Sequence, residues 1–477
     1  MDAIIGWIGS ALDALRSALE WFVAEVGYIV WGFGIPVGDE EIPLVVIALL
    51  GVGFYLTLRL AFIQLRHLGH GFAVTTGRYD DPDEPGDVVH FQALTTALSA
   101  TVGIGNIAGV ALAIHFGGPG ALFWMWVTGL VGMATKYSEA LLSVKYRVTN
   151  ERGEQAGGPM YYLAEGVRWK PLGRSLGWLF ALFTACAAFG IGNMVQSNSV
   201  ADAIGGAFGV PDWMTGAVIA VALGAVTLGG IRSIGSFTSI FVPAMIVVYV
   251  GACTIVLVFN VTAIPAAFAL VFSDAFTGSS AAGGFLGATI AQAMRYGVAR
   301  GIFSNESGLG SAGIAAAAAK TQEPVRQALV SMTQTFIDTL VICTFTGIAI
   351  IASGVWSSGV NGAALTQLAF GTALPGPIGP AVVAVCLAMF AFSTILGWSH
   401  YGSRGIEYIL GVRAILPYRL LFIAAAFMGS IYTLDFVWLL SDVMNGLMAL
   451  PNLVGLLLLS GVVAVETRSY FERSRAG

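Results

Sequence analysis

Ser99-Ala100-Thr101-Val102-Gly103-Ile104-Gly105-Asn106 interrupts one long apolar run, and Arg300-Gly301-Ile302-Phe303-Ser304-Asn305-Glu306-Ser307-Gly308-Leu309-Gly310-Ser311 interrupts another. Both stretches gather glycine and small polar residues where a membrane-spanning helix should be apolar. Backbone that unwinds in hydrocarbon leaves N–H and C=O groups bare, at several kcal/mol each. Unwinding at that depth therefore implies a cavity lined by protein or water.

The surroundings of these breaks support a membrane setting. Apolar residues make up 57 % of the 477-residue chain and charged residues 10 %, and mean hydropathy is +0.82. Soluble domains carry about 25 % charged residues, so a water-soluble fold, nucleic-acid binding and disorder are all disfavoured. Cys186, Cys253, Cys343 and Cys386 sit singly in apolar stretches and read as buried hydrophobes, not disulfides or metal ligands. Many of the 62 glycines lie inside apolar runs, which suits closely packed membrane helices.

A spanning helix takes about 20 apolar residues. Eleven spans are predicted: 43–65, 92–116, 120–146, 173–203, 212–230, 236–260, 284–318, 325–353, 377–410, 415–433 and 436–465. They are numbered here in that order. Placing the loops after spans 1, 3, 5, 7 and 9 and the tail on one side gathers 18 of the 22 Lys and Arg residues there. The positive-inside rule makes that side cytoplasmic, with the N-terminus outside and the C-terminus inside. The broken spans 2 and 7 each open a run of five, and the two runs have opposite topology. Paired broken segments in inverted repeats point to the binding site of a transporter.

The rest of the chain divides around this frame. Residues 1–42 form an N-terminal segment. Ile4, Ile5, Trp7, Ile8, Leu12, Leu15, Leu19 and Trp21 recur there near helical period, broken by Asp13, Arg16, Glu20 and Glu25, as in an interfacial amphipathic helix. Residues 43–91 carry the extra helix and a cytoplasmic loop, 92–260 the first five-helix repeat, 261–283 an extracytoplasmic connector, 284–465 the second repeat and 466–477 a cytoplasmic tail.

Several residues at the breaks suit particular chemistry. The Ile104 and Gly105 amides would open the second half of span 2, and a helix N-terminus favours a carboxylate. Carbonyls just before that break, with the Thr101 and Asn106 side chains, suit a hard cation. The same glycines also serve plain helix packing. The match of Gly103 to Ala108 to a dinucleotide-binding pattern lacks its βαβ unit. Glu306 is an ionisable group at membrane depth; pairing with Arg300 or Arg295 would give it a structural or gating role. In span 4, Asn193, Gln196 and Ser197 share a face that either joins helices or lines a cavity. In span 9, Ser393 and Thr394 either complete a cation shell or bond back to their own helix. Phe303 and Trp398 either stack over a small substrate or pack. Lys136 and Glu139 read as an ion pair in span 3. Asp338 and Asp442 are candidate proton or cation sites. The histidines form no ligand cluster, and no nucleophile–base pair or ATP-binding motif is present, so an enzyme or ATP-driven pump has no support.

At these residues the chain resembles the alanine or glycine:cation symporters, also called the sodium:alanine symporter family. The resemblance lies in Ala97 to Ile114, Gly117 to Trp126, Gly157 to Leu163 and Gly301 to Ala312, within a likeness running from about residue 43. It implies an all-α LeuT-type 5+5 inverted repeat with one extra helix before it. It also implies Na+-coupled, sometimes H+-coupled, uptake of alanine or glycine across the cell membrane. The substrate pocket it implies uses Ile104, Gly105, Gln196, Phe303 and Trp398. The implied Na+ site uses carbonyls near Ser99 and Val102 with Ser393 and Thr394. Asn106, Arg300 and Glu306 are left as gating or structural residues. The family often has Thr at the position of Ile104, so a pocket hydroxyl would be missing here. No cofactor is expected beyond Na+ as coupling ion. The expected partners are a small neutral amino acid, Na+ and the lipid bilayer. The rivals are a symporter for glutamine or another neutral amino acid, a channel, and a membrane-embedded enzyme.

Overall fold

The computed structural model describes residues 21–476 except 22, 38–39, 281–286 and 433–434. Most of the predicted N-terminal amphipathic helix therefore lies outside the described residues. Among those described, strands occur only as two short hairpins, Gly34–Val37 with Glu40–Pro43 and Val148–Thr149 with Gln155–Ala156. Everything else is helix and loop.

Each predicted span contains helix, and the two repeats show the same order of elements. The first runs His90–Thr101 and Gly105–Gly117 (broken span 2), Gly120–Lys145, the short Pro159–Gly166, Lys170–Phe208, Asp212–Thr227 and Gly230–Phe259. The second runs Ile290–Asn305 and Ala312–Ala317 (broken span 7), Pro324–Ala352, the short Gly362–Gly371, Ile378–Leu410, Ile415–Ile431 and Asp435–Ala476. Six helices are long and apolar enough to cross a membrane, or seven with the bent pair of span 2, among the described residues. Leu44–Arg59 and Asp212–Thr227 are apolar but shorter.

The broken helices lie antiparallel, which is what inverted repeats require. The start of span 2 meets the end of span 7: Asp87 N–H donates to Ala318 O at 2.8 Å and Lys320 N–H to Val88 O at 2.7 Å. The end of span 2 meets the start of span 7, where a Cβ on Gly117 would stand 3.1 Å from Ala293 Cα. The outer faces of spans 5 and 6 are aliphatic. Val218, Val221, Ile240 and Val247 are each more than two-thirds exposed, the reverse of a soluble surface and suited to lipid.

Three elements depart from expectation. The connector 261–283 contains a helix, Ile264–Thr277, continuing from a turn at Val261–Ala263. The expected tail is a continuation of span 11, whose helix runs to Ala476. There Lys145 pairs with Glu466 at 2.5 Å and Arg473 with Glu323 at 2.9 Å. Charge ends an apolar stretch without ending a helix. The short helices Pro159–Gly166 and Gly362–Gly371 carry too few residues to show as spans.

Candidate functional site

Span 2 breaks later and more briefly than its composition suggests. The helix persists through Thr101, the chain is extended at Val102, and a π-helical turn begins at Gly105. The two halves meet at 55°. Asn106 Oδ1 accepts the Gly103 N–H at 2.9 Å, so the break satisfies part of its own backbone. Ile104 and Gly105 open the next half-helix, whose first N–H groups have no acceptor within the helix.

The break faces a small cavity. Ala100, Thr101, Gly103 and Gly105 of span 2 line it with Ile191 and Gln196 of span 4, Phe303, Glu306 and Leu309 of span 7, Thr394 and Trp398 of span 9, and Asn445 of span 11. It encloses about 10 Å³, room for about one water. Of the residues expected at a substrate pocket, Gly105, Gln196, Phe303 and Trp398 meet here. Ile104 is not among the residues that line it, and its side chain is buried in the apolar core. Of the polar stripe on span 4, only Gln196 reaches the cavity. Asn193 donates to Phe422 O at 2.7 Å and Ser197 to Asn193 O at 3.1 Å, joining or bracing helices. Gln196 Nε2 donates to Ile191 O at 3.0 Å. Its Oε1 is buried without a partner among the described residues, as is Asn445 Oδ1. A buried orphan acceptor is costly, and both of these belong to cavity-lining side chains.

Beside the cavity, oxygens from two helices converge. Ser393 Oγ lies 3.3 Å from both Ser99 O and Val102 O, and Thr394 Oγ1 lies 3.5 Å from Val102 O. Gly397 allows the approach: a Cβ there would stand 2.7 Å from Ala100 N. Ser393 and Thr394 also donate back to Phe390 O, at 2.8 and 3.1 Å. The bond back to their own helix is thus present, and the same hydroxyls stand beside the span 2 carbonyls. Thr101 and Asn106 are not part of this oxygen set. Thr101 donates to Ala97 O and accepts from Gln334, and Asn106 turns to Asp338.

Asp338 anchors a second polar cluster. Its carboxylate accepts Asn106 Nδ2–H at 2.7 Å, the Ser304 hydroxyl at 2.9 Å and the Thr339 hydroxyl at 2.8 Å. This ties both broken spans to span 8, which is π-helical over Phe336–Cys343. Such turns frequently mark functional sites. The composition of span 8 singles out Asp338, but nothing in the sequence pairs it with Asn106.

The break in span 7 is held from span 3. Glu306 sits at φ 56°, Gly308 at 93° and Gly310 at 86°. Glu139 Oε1 accepts the Gly308 N–H at 3.0 Å, the Gly310 N–H at 3.1 Å and Asn452 Nδ2–H at 2.8 Å. Two expected ion pairs are therefore corrected. Glu139 hydrogen-bonds the unwound amides and not Lys136, whose Nζ has no hydrogen-bond partner among the described residues. Glu306 accepts Trp398 Nε1–H at 2.9 Å and the Ser311 hydroxyl, not an arginine. Arg300 lies over the Phe303 ring, 5.6 Å from its centroid.

Arg300 also lines a larger cavity of about 230 Å³ with Trp31, Arg295 and Asp442. This cavity shares Phe303, Leu309 and Asn445 with the central one. At the basic end of the bundle, charged side chains tie the helix ends together. Arg147 donates to Ala317 O, Ala319 O, Thr321 O and Pro85 O at 2.6–2.9 Å. Arg404 pairs with Glu407 and Glu154 at 2.5 and 2.8 Å. Asp87 accepts the Gln155 N–H at 2.7 Å, and burial raises its carboxyl above the ordinary value.

Residues 27–477 match the sodium:alanine symporter family. The sodium/alanine symporter AgcS of Methanococcus maripaludis is 50 % identical over 454 residues, covering 94 % of this chain and 97 % of that protein. The probable sodium/glutamine symporter GlnT of Bacillus subtilis is 36 % identical over 443 residues, 91 % of this chain and 89 % of that one. The crystal structure of MhsT in complex with L-phenylalanine matches with a TM-score of 0.53 at 13 % identity, covering 81 % of this chain and 98 % of the other. That likeness carries the LeuT-type fold.

Proposed function

The chain belongs to the sodium:alanine symporter family and is a multi-pass membrane protein, and from that premise we propose that it couples Na+ entry to uptake of alanine or glycine by alternating access. The Ile104 and Gly105 amides receive the carboxylate. Gln196 Oε1 receives the ammonium, and Phe303 and Trp398 bound the side chain. Ser99 O, Val102 O, Ser393 and Thr394 hold Na+. The basic end faces the cytoplasm, with the N-terminus outside and the C-terminus inside. Transport needs no covalent chemistry, so no catalytic residue and no cofactor beyond the coupling ion are assigned.

One observation carries the reading. The orphaned Gln196 oxygen, the opening amides of span 2 and the Ser393–Thr394 hydroxyls converge on one break, with oxygen for a cation beside an acceptor and donors for a zwitterion. Alanine uptake into proteoliposomes with an inward Na+ gradient tests the reading. Uptake that persists unchanged without Na+ would count against it. The Asp338 carboxylate supports a second reading, H+ coupling at that residue. Accumulation driven by a pH gradient in Na+-free buffer would distinguish it.

A further inference from the structure

The wall of the central cavity contains a part that sets its depth. Trp398 is buried, at 2 % exposure, and its indole is held on two sides. Behind it lies bare backbone: a Cβ on Gly192 would stand 2.2 Å from Trp398 Cγ and 2.3 Å from its Cβ. In front, the indole N–H donates to Glu306 Oε1 at 2.9 Å. Glu306 is itself fixed. Its backbone takes the left-handed conformation at φ 56°, its N–H donates to Ile302 O at 2.8 Å, and its other carboxylate oxygen accepts the Ser311 hydroxyl from beyond the break. Trp398 and Glu306 both line the cavity.

We propose that the Glu306–Trp398 hydrogen bond is a size-selecting latch: Glu306 is a positioning residue that pins the indole and so limits the side chain of the transported amino acid. This rests on the reading of the cavity as the amino-acid pocket. An indole in a membrane interior that swings away from Glu306 leaves its N–H unpaired and uncovers a buried carboxylate oxygen. A side chain too large for the cavity must meet that cost. The same push would be felt at Ser311, across the break in span 7, so a misfit substrate also disturbs the element whose halves must close around it. Selection by a fixed wall and by closure thereby act through one bond.

The test uses purified full-length protein and radiolabelled alanine, displaced by glycine, valine, methionine and glutamine, with Na+ saturating. Glu306→Met and Glu306→Gln have similar volume, but only glutamine keeps an acceptor for the indole. Glu306→Met should bring valine and methionine at least tenfold closer to alanine in affinity, whereas Glu306→Gln should keep the wild-type ratios within about twofold. Gly192→Ala puts a methyl against the indole, 2.2 Å from Trp398 Cγ, and should change the ratio of glycine to alanine affinity. Where Glu306→Met does not fold, Ser311→Ala removes one anchor of the carboxylate and should move the ratios in the Met direction by a smaller factor. Equal weakening of every amino acid in Glu306→Met, or identical ratios in Glu306→Met and Glu306→Gln, would overturn the latch while leaving the symporter intact. Wild-type protein that binds no alanine would overturn the functional reading, and the latch with it.

Discussion

Thr394 lines the central cavity beside the break in span 2. Its hydroxyl is 3.5 Å from Val102 O, and a Cβ on Gly103 would come within 2.4 Å of it. An ion bound between spans 2 and 9 would hold the arrangement that also binds the amino acid, so each must raise the affinity of the other by the same factor, typically 5–150-fold. Thr394→Ala should raise the Na+ concentration for half-maximal uptake by about tenfold, with alanine affinity at saturating Na+ little changed. Thr394→Ser should restore the wild-type Na+ dependence. An unaltered Na+ dependence in Thr394→Ala would reduce Thr394 to helix packing. Asp338 gives a sharper case of what sequence hides. A carboxylate in an apolar span is visible as such, but its three donors come from spans 2, 7 and 8. Spacing reports neighbours on one helix and says nothing about contacts between residues more than two hundred positions apart. Asp338→Asn places amide hydrogens among groups that already donate, leaving one donor facing another. It should lower Na+-driven uptake at least tenfold, measured as initial rate in proteoliposomes.

At the scale of an element, both breaks are legible because glycine beside small polar residues is incongruous in a span. Their internal geometry is not. The span 2 break closes on its own Asn106, whereas the span 7 break borrows Glu139 from span 3. The i, i+3 spacing of Lys136 and Glu139 suggests a pair on one helix face. The structure spends the carboxylate on two backbone amides that unwinding leaves without partners, because orphan amides in hydrocarbon are the larger liability. Glu139→Ala would strand the Gly308 and Gly310 amides and Asn452, at about 1–3 kcal/mol for each group left unpaired. The expected outcome is a lower melting temperature and loss of alanine binding together. Glu139→Gln, which keeps one carbonyl oxygen, should recover most of the melting temperature. A variant with full stability but no alanine binding would contradict the bracing role.

Across the whole molecule, the antiparallel broken helices explain why one arginine can seal an end. Arg147 follows span 3, yet its guanidinium bonds Pro85 before span 2 and Ala317, Ala319 and Thr321 at the end of span 7. Those are the start of one broken span and the end of the other, brought together because the two spans lie antiparallel. Positive charge at this end is legible as topology, since 18 of 22 basic residues gather there, but the role of Arg147 as a fastener appears only in three dimensions. Alternating access requires that this seal hold while the cavity lined by Arg300 and Asp442 is open, and release afterwards. Hydrogen bonds to a charged group are worth about 1.5–3 kcal/mol each, although four on one guanidinium are not additive. Losing them should shift the balance toward the state open at the basic end by about 10–100-fold, or about 1.4–2.8 kcal/mol. Arg147→Met should therefore speed Na+-independent alanine efflux from loaded proteoliposomes and reduce Na+-driven accumulation several-fold. Arg152→Met is the control, because Arg152 lies at the same end and, among the described residues, its guanidinium reaches only Val412 O, at 3.4 Å. If the two variants accumulate alanine equally, the seal is carried by the Arg404–Glu154–Glu407 cluster and not by Arg147.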